Sequence, residues 1–219
     1  MIITRQKPKT EILESLGGAD KVFLTGCSLC ATVCRTGGED QLKAFMDVLR
    51  EEGKTVTGLE VLEQACNRLE VKRLYRKKKQ EIDDADAVLS FSCGGGLQTL
   101  AGLLKGKDVL PGNDTLFQGE ITELSLKKSQ FDQKCSLCGE CMLALTGGIC
   151  AVTRCAKGLV NGPCGGVKNG KCEIDGDLDC AWLAIYDRLK ELGRLDAFRK
   201  RRPPRDHSRS KKPQTHIIK

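Results

Sequence analysis

Eight cysteines between residues 135 and 180 could do chemistry together. Three of them stand three residues apart in the segment KCSLCGEC, and the rest follow at irregular intervals. The eight are Cys135, Cys138, Cys141, Cys150, Cys155, Cys164, Cys172 and Cys180. A C-x2-C-x2-C run supplies three thiolates to a 4Fe–4S cubane, and the fourth comes from elsewhere in the chain. A zinc ribbon would instead show two C-x2-C pairs with a longer spacer. The spacing therefore predicts two 4Fe–4S clusters, with zinc and disulfides as alternatives, and leaves the division into two sets open.

Glycine is frequent between these cysteines, and Gly165 and Gly166 directly follow Cys164. Because glycine has no Cβ, its backbone amide can approach a cluster sulfur and donate a hydrogen bond, which helps to set the reduction potential. A segment of this composition can build little apolar core, so metal bonds would have to hold it together. We predict Gly165 and Gly166 as cofactor-binding positions. Trp182 and Tyr186, one turn apart in CAWLAIYDRLKELGRL, predict the apolar face of a closing helix.

Five further cysteines lie in the first half of the chain, where the CSLC segment also occurs. They are Cys27, Cys30, Cys34, Cys66 and Cys93. Both histidines, His207 and His216, stand in the C-terminal tail, so any metal site here is expected to be all-thiolate.

The elements around these five cysteines predict a small parallel sheet. The β-rich segments 21–26, 54–61 and 84–92 alternate with helical patterns, and such alternation favours right-handed crossovers between parallel strands. Each of these strands precedes one or more of the cysteines. Ligands of open parallel sheets bind outside the carboxyl ends of the strands.

We therefore predict a metal site formed by Cys27, Cys30, Cys66 and Cys93, with Cys34 able to replace Cys30. Ordinary buried thiols are the alternative interpretation.

A glycine run, Gly94, Gly95 and Gly96, follows Cys93 and precedes a predicted helix. Glycine amides at a helix start can bind a phosphate or another anion, so these three are candidate cofactor-binding residues. The run matches neither GxGxxG nor GxxxxGK[ST], which makes a nucleotide or flavin site the weakest alternative.

Composition indicates a reducing compartment. The chain has 13 cysteines in 219 residues, begins with no apolar signal segment, and contains no apolar run long enough to cross a membrane. Cytoplasmic location is therefore expected, where cysteines bind metals more often than they pair as disulfides.

The basic character of the chain is confined to its tail. The net charge is +7, and residues 199–219 alone contain nine Lys or Arg and one Asp, which leaves the remainder near neutral. Three prolines and few apolar residues predict a solvated, disordered tail. A partner-binding arm is the alternative, and nucleic acid is less expected because no aromatic residue interleaves the charges.

The predicted fold class is α/β: a small parallel three-layer N-terminal unit followed by an irregular, cysteine-rich iron–sulfur domain with a closing helix. The expected divisions are 1–125, 126–197 and the tail, 198–219.

Several motifs of the second half resemble the methylenetetrahydrofolate reductase C-terminal domain family. They are CSLCGEC at 135–141, LTGGIC at 145–150, RCAK at 154–157, NGPCGG at 161–166 and CAW at 180–182. In the first half, GCSLCATVCRTGG and SCGGG resemble the small stand-alone subunit of acetogen-type enzymes. Ala151 departs from the proline expected in many relatives after the cysteine.

This resemblance implies an iron–sulfur electron-transfer subunit, not catalytic alone, that docks on an FMN-containing TIM-barrel subunit in the Wood–Ljungdahl pathway of one-carbon metabolism. Further electron-donor subunits would complete the complex. The chain shows no eight-fold βα repeat. Two alternatives remain open: a zinc-stapled docking subunit of the same complex, and a basic zinc protein that binds nucleic acid. A mixed protein, with zinc in the N-terminal site and iron–sulfur beyond residue 134, is a further alternative.

Overall fold

The computed structural model describes residues 1–125 and 128–218. The chain divides into two compact units. The N-terminal unit comprises Met1–Phe117 with Ile121–Phe131, and the C-terminal unit comprises Gln118–Glu120 with Asp132–Lys219. The predicted boundary at residue 125 lies between two strands that contribute to both units. Leu126 and Lys127, at the start of the predicted division 126–197, and Lys219, the last residue of the tail, lie outside the described residues.

The N-terminal unit alternates strands and helices, as the sequence predicts. Its strands are β1 (Ile2–Gln6), β2 (Lys21–Cys27), β3 (Thr55–Leu62), β4 (Ala87–Phe91) and β5 (Asp108–Pro111). Two further strands, β6 (Asn113–Leu124) and β7 (Ser129–Cys135), contribute residues to both units. Its helices are α1 (Lys9–Leu16), α2 (Cys30–Val33), α3 (Glu39–Glu51), α4 (Arg68–Lys77), α5 (Lys79–Asp83) and α6 (Gly94–Leu103). The predicted strands correspond to β2, β3 and β4, whereas β1 and β5 are not predicted by the sequence pattern.

A parallel four-stranded sheet organises this unit, in the order β3-β2-β4-β5. In its register Leu24 pairs with Leu59 on one side and with Leu89 on the other. A separate three-stranded sheet has the order β1-β6-β7. The fold-class prediction of a parallel α/β unit is confirmed.

Helices cover both faces of the four-stranded sheet because successive side chains of a strand point to opposite faces. On β2, Leu24 packs in a cluster with Leu42 of α3, while its neighbour Phe23 packs in a second cluster with Val71 of α4 and Leu100 of α6. Each of these five side chains is fully buried. Three layers result, with the sheet between two layers of helices.

Short elements and a single longer helix form the C-terminal unit. They are a 3-10 turn (Leu143–Leu145), α7 (Ala151–Arg154), α8 (Ala181–Glu191), α9 (Leu195–Arg199) and a second 3-10 turn (His207–Ser210). The closing helix is α8, and its Trp182, Ile185 and Leu189 are buried against Met142 and Ala151. The predicted core role of Trp182 is confirmed.

Tyr186, the other residue of the predicted apolar face, is more exposed and packs by its edge on Phe198, with ring centroids 5.8 Å apart. Among residues 1–125 and 128–218, no helix has the length and apolar character needed to cross a membrane.

Candidate metal centres

The thiols of the N-terminal unit lie at the carboxyl edge of the parallel sheet. Cys27 is the last residue of β2, Cys30 begins α2, and Cys93 caps α6 just after β4. Cys66 stands between β3 and α4. Since all four strands run in the same direction, these positions share one edge. The structure therefore places the four predicted ligands on a common rim.

The electrostatics of Cys66 depend on the other three thiols. Partial desolvation raises the pKa of the Cys66 thiol, and negative charge on Cys93, Cys27 and Cys30 raises it further. A nearby like charge disfavours ionisation of a second thiol. The Cys66 side chain is nevertheless exposed at the surface.

At this carboxyl edge of the sheet, Cys27 is tightly packed, whereas the other three cysteines are more exposed. Cys27 is 8% exposed and packs with Ala31 and Ala65, and its thiol donates weakly to the Glu63 carbonyl at 4.0 Å. A Cβ on Gly95 would lie 3.8 Å from the Cys93 Sγ and 3.9 Å from the Cys66 Cβ. Gly95 thus separates two of the thiol-bearing residues.

Hydrogen bonds to Ile2 distinguish Cys30 from Cys34. The Ile2 backbone N–H donates to the Cys30 Sγ at 3.4 Å, so this sulfur acts as an acceptor. The Cys34 thiol instead donates to the Ile2 carbonyl, with Sγ and O 3.9 Å apart. Both sulfurs thus contact the backbone of Ile2 in β1, Cys30 as an acceptor and Cys34 as a donor.

The glycine run builds the first turn of α6. The Gly94 N–H donates to the Thr115 hydroxyl at 2.7 Å, so this amide already has a partner. A Cβ on Gly96 would lie 2.7 Å from the Ser92 hydroxyl oxygen and 2.8 Å from the Ala65 Cβ. Close packing accounts for Gly96, and cofactor binding by Gly94, Gly95 and Gly96 stays a prediction.

Four cysteines of the C-terminal unit line one open cavity of about 610 Å³. We call them the first thiol set: Cys135, Cys138, Cys141 and Cys150. The first three come from the C-x2-C-x2-C run, and Cys150 stands directly before α7. The Leu137 N–H donates to the Cys135 Sγ at 3.3 Å. The cavity thus places Cys150 beside the three thiols of the run.

The other four cysteines line a second, much narrower cavity of about 20 Å³. They form the second thiol set: Cys155, Cys164, Cys172 and Cys180. This volume has room for about one water molecule. The loops that carry these thiols would have to separate to admit a cluster. Each of the eight cysteines therefore faces one of two cavities, four to each.

Charged side chains surround the second thiol set. The Glu173 carboxylate accepts from the Lys157 ammonium and from the Cys164 thiol, whose Sγ is 3.4 Å away. The hydrogen bond with Glu173 raises the pKa of Lys157, and negative charge on Cys164 and Cys172 raises it further. The same bond with Lys157 is the main cause of the lowered pKa of Glu173. Glu173 was not predicted as a site residue, since nothing in its spacing distinguishes it from other acids.

Backbone amides approach this set as well. The Gly166 N–H donates to the Cys164 Sγ at 3.4 Å. Gly165 has a φ of +81°, a backbone conformation that glycine adopts without strain. A direct role of either residue towards a cofactor stays a prediction.

The cysteine side chains do not stand in a metal-coordinating arrangement. Within the described residues, no group of three or more His, Cys, Asp or Glu side chains stands close enough together to hold a metal ion. The donor chemistry nevertheless fits an all-thiolate centre, because each set offers four sulfurs and no competing imidazole.

The fold and these sites define a cysteine-rich α/β protein with two four-thiol cavities in its second unit. Residues 110–208 match the family model described as methylene-tetrahydrofolate reductase C terminal. The matched range contains both thiol sets. The five N-terminal cysteines lie before its first residue. No curated protein and no solved structure matches the chain.

Proposed function

We propose that this chain is the iron–sulfur subunit of a methylenetetrahydrofolate reductase complex. One observation carries the proposal: the eight cysteines of the family segment line two cavities in two sets of four. Four thiolates are what a 4Fe–4S cluster requires. The bound clusters would supply one-electron transfer.

The protein's own groups have defined tasks in this proposal. The first thiol set would hold one cluster and the second thiol set the other. The amides of Leu137 and Gly166 would donate to ligand sulfurs, which favours the reduced, more negative state. Lys157 would offset thiolate charge at the second set, where it already pairs with Glu173. These contacts make the two sets chemically different.

A partner chain would hold the flavin. The parallel sheet of the N-terminal unit has four strands, as far as the structure describes it, and a (β/α)8 barrel has eight. The chain would receive electrons singly from a one-electron carrier. It would pass them to an FMN on the partner chain, the group that would supply hydride transfer to the methylene carbon of the folate. The acetogen-type assembly and its cytoplasmic location belong to this proposal.

A second candidate function is a zinc-held docking subunit of the same complex. The narrowness of the second cavity favours it, because a single ion needs less space than a cubane. Binding of nucleic acid by the tail is the weaker alternative, since Arg205 already lies 3.9 Å from the Glu140 carboxylate.

Electron delivery to flavin tests the proposal. The chain would be reduced with dithionite, desalted anaerobically and mixed with an FMN-containing methylenetetrahydrofolate reductase catalytic chain while flavin absorbance is followed. We expect the wild-type chain to bleach the flavin. Cys138→Ser and Cys164→Ser, each of which removes a ligand from one set, should deliver at most about half as many electrons.

Cys34→Ser provides the matched control, because it makes the same thiol-to-hydroxyl change outside both sets. Equal bleaching by a chain stripped of its metal would contradict the proposal, and bleaching by none of the forms would favour the docking subunit.

A further inference from the structure

We propose that Cys27, Cys30, Cys66 and Cys93 form an all-thiolate metal centre in the N-terminal unit, and that Cys34 is not one of its ligands. This site lies outside the matched family segment, which begins at residue 110. The inference therefore does not rest on the proposed function of the C-terminal unit. The ligand class is a thiophilic centre, either zinc or an iron–sulfur cluster.

Topology brings the four cysteine positions to one edge of the sheet, although only Cys27 and Cys30 share a local motif, C-x2-C. Cys27 ends β2 and Cys30 begins α2 just after it, Cys66 follows β3 and Cys93 follows β4, and β2 is the central neighbour of both other strands. The parallel sheet fixes the separation of these strand ends. Ligands from three strand ends can thus converge while the sheet itself stays rigid.

Ordinary packing does not explain these cysteines. A free cysteine that serves only as a small apolar side chain is usually among the most buried residues. Here only Cys27 is buried, Cys30 and Cys93 are partly exposed, and Cys66 is exposed. Three of the four sulfur-bearing side chains therefore remain at the rim, where a bound metal could reach them.

Contacts and position separate the four thiols from Cys34. Cys30 accepts a hydrogen bond from the Ile2 backbone N–H, as ligand sulfurs commonly do. Cys93 is the N-cap of α6 and comes directly after β4. Cys34 is instead the C-cap of α2, one helical turn beyond Cys30, and its thiol donates to the Ile2 carbonyl of β1.

Metal content of variants of the full chain tests the site. Cys66→Ser and Cys93→Ser would be purified anaerobically beside the wild type, with Cys34→Ser as the matched control from the same unit. We expect the first two to lose one zinc, or about four iron with four sulfide, and the control to keep the wild-type content. Equal metal in all four proteins would overturn the inference, and so would an equal loss in Cys34→Ser.

A second measurement needs no variant and so does not depend on variant folding. The wild-type chain would be treated with iodoacetamide before and after metal removal by a chelator under anaerobic conditions, and modification would be located by mass spectrometry. Cys66 is exposed, so a free thiol there would be accessible to the reagent. We expect protection before chelation and modification after it. Equal modification in both samples would overturn the site.

The two proposals fail separately. Loss of metal in Cys66→Ser from a chain without iron in its C-terminal unit would sustain this site and contradict the iron–sulfur function. The opposite result would be a fall in iron in Cys138→Ser and Cys164→Ser, with iron and zinc both unchanged in Cys66→Ser and Cys93→Ser. That result would support the iron–sulfur function and contradict the N-terminal site.

Discussion

The side chain of Asn161 holds the main chain of Arg202 through both of its amide atoms. The Arg202 N–H donates to Oδ1 at 2.7 Å, and Nδ2 donates to the Arg202 carbonyl at 3.2 Å. Asn161 belongs to the NGPCGG segment that leads to Cys164. A loop of the second thiol set is therefore fastened to the basic tail.

Glu140 makes a comparable link next to the first thiol set. It stands between Cys138 and Cys141, and its carboxylate accepts from the Asp206 N–H at 3.1 Å. Arg205 reaches the same carboxylate at 3.9 Å. The tail thus contacts the loops of both sets within the C-terminal unit.

Removing the Asn161 clamp should release the tail. Asn161→Ala loses both hydrogen bonds, each worth about 1 kcal/mol, and we expect trypsin to cut faster at the basic residues that follow Phe198. Asn161→Asp keeps the acceptor for the Arg202 N–H and should give an intermediate rate. Digestion would be followed by mass spectrometry of the released peptides. Identical rates in all three proteins would show that the clamp does not hold the tail.

Gly139 offers a second way to test the position of the tail. Its φ is +73°, and a Cβ there would lie 2.4 Å from the Arg209 carbonyl oxygen. Gly158 has a similar φ of +62° and nothing within 4 Å of its Cβ position. Both alanine variants carry the cost of a left-handed backbone, about 1 kcal/mol, but only Gly139→Ala also displaces the tail.

The thermal midpoint should therefore fall further in Gly139→Ala than in Gly158→Ala, with faster tail proteolysis in the former alone. If both variants behave alike, the Arg209 contact does not form in solution.

Trp182 stabilises the closing helix through its ring and its indole N–H. The N–H donates to the Leu159 carbonyl at 3.1 Å, and the ring meets Phe198 edge-on with centroids 5.7 Å apart. Trp182→Phe should cost about 1–2 kcal/mol of unfolding free energy, since it removes the donor and some volume. Trp182→Ala should cost about 3–5 kcal/mol.

Tyr186→Phe is the matched control, because Tyr186 contacts Phe198 through its ring and the variant keeps that ring. Urea unfolding should find this control close to the wild type. A Trp182→Ala protein as stable as the wild type would contradict the assignment of Trp182 to the core.

Asp86 should make stability depend on acid pH. Its carboxylate accepts from the backbone N–H of Lys21 at 2.8 Å and of Asp20 at 3.0 Å, and these bonds, with that to Lys21 the larger cause, lower the pKa of Asp86. A group whose pKa is lower in the folded state contributes stability above its unfolded pKa, and loses it as the pH falls through the folded value.

The urea midpoint of the wild type should therefore exceed that of Asp86→Asn at pH 7, and the difference should shrink at pH 3. A constant difference at both pH values would show that ionisation of Asp86 plays no part.

The sequence predicts those features of the structure that a side-chain pattern marks, and it does not predict contacts made by loops or by main-chain atoms. Rim thiols such as Cys27 and Cys93 are predictable, because β-rich runs reveal the strands and parallel topology brings their ends together. Edge strands are harder to predict. The strand β5, for example, ends at Pro111, and proline interrupts the pattern by which a strand is recognised. The pairing of Cys150 with the first three thiols is not predictable, because glycine-rich loops have no periodicity.

The tail illustrates a second limit. Composition predicts a solvated segment, whereas its contacts with Asn161 and Glu140 are made largely by the main chain of Arg202 and Asp206. Every residue carries these atoms, so no side-chain pattern signals them. Glu173 could not be predicted for a related reason, since its position next to Lys157 and Cys164 follows from the path of the loop alone.

Metal analysis of the anaerobically purified chain tests the central claim most directly. Iron, acid-labile sulfide and zinc would be counted per chain in the wild type, Cys138→Ser and Cys164→Ser. Two clusters predict at least about eight iron with matching sulfide in the wild type, and a loss of about four of each in either variant. Two or three zinc with negligible sulfide would contradict the electron-transfer role and leave a metal-stapled docking subunit.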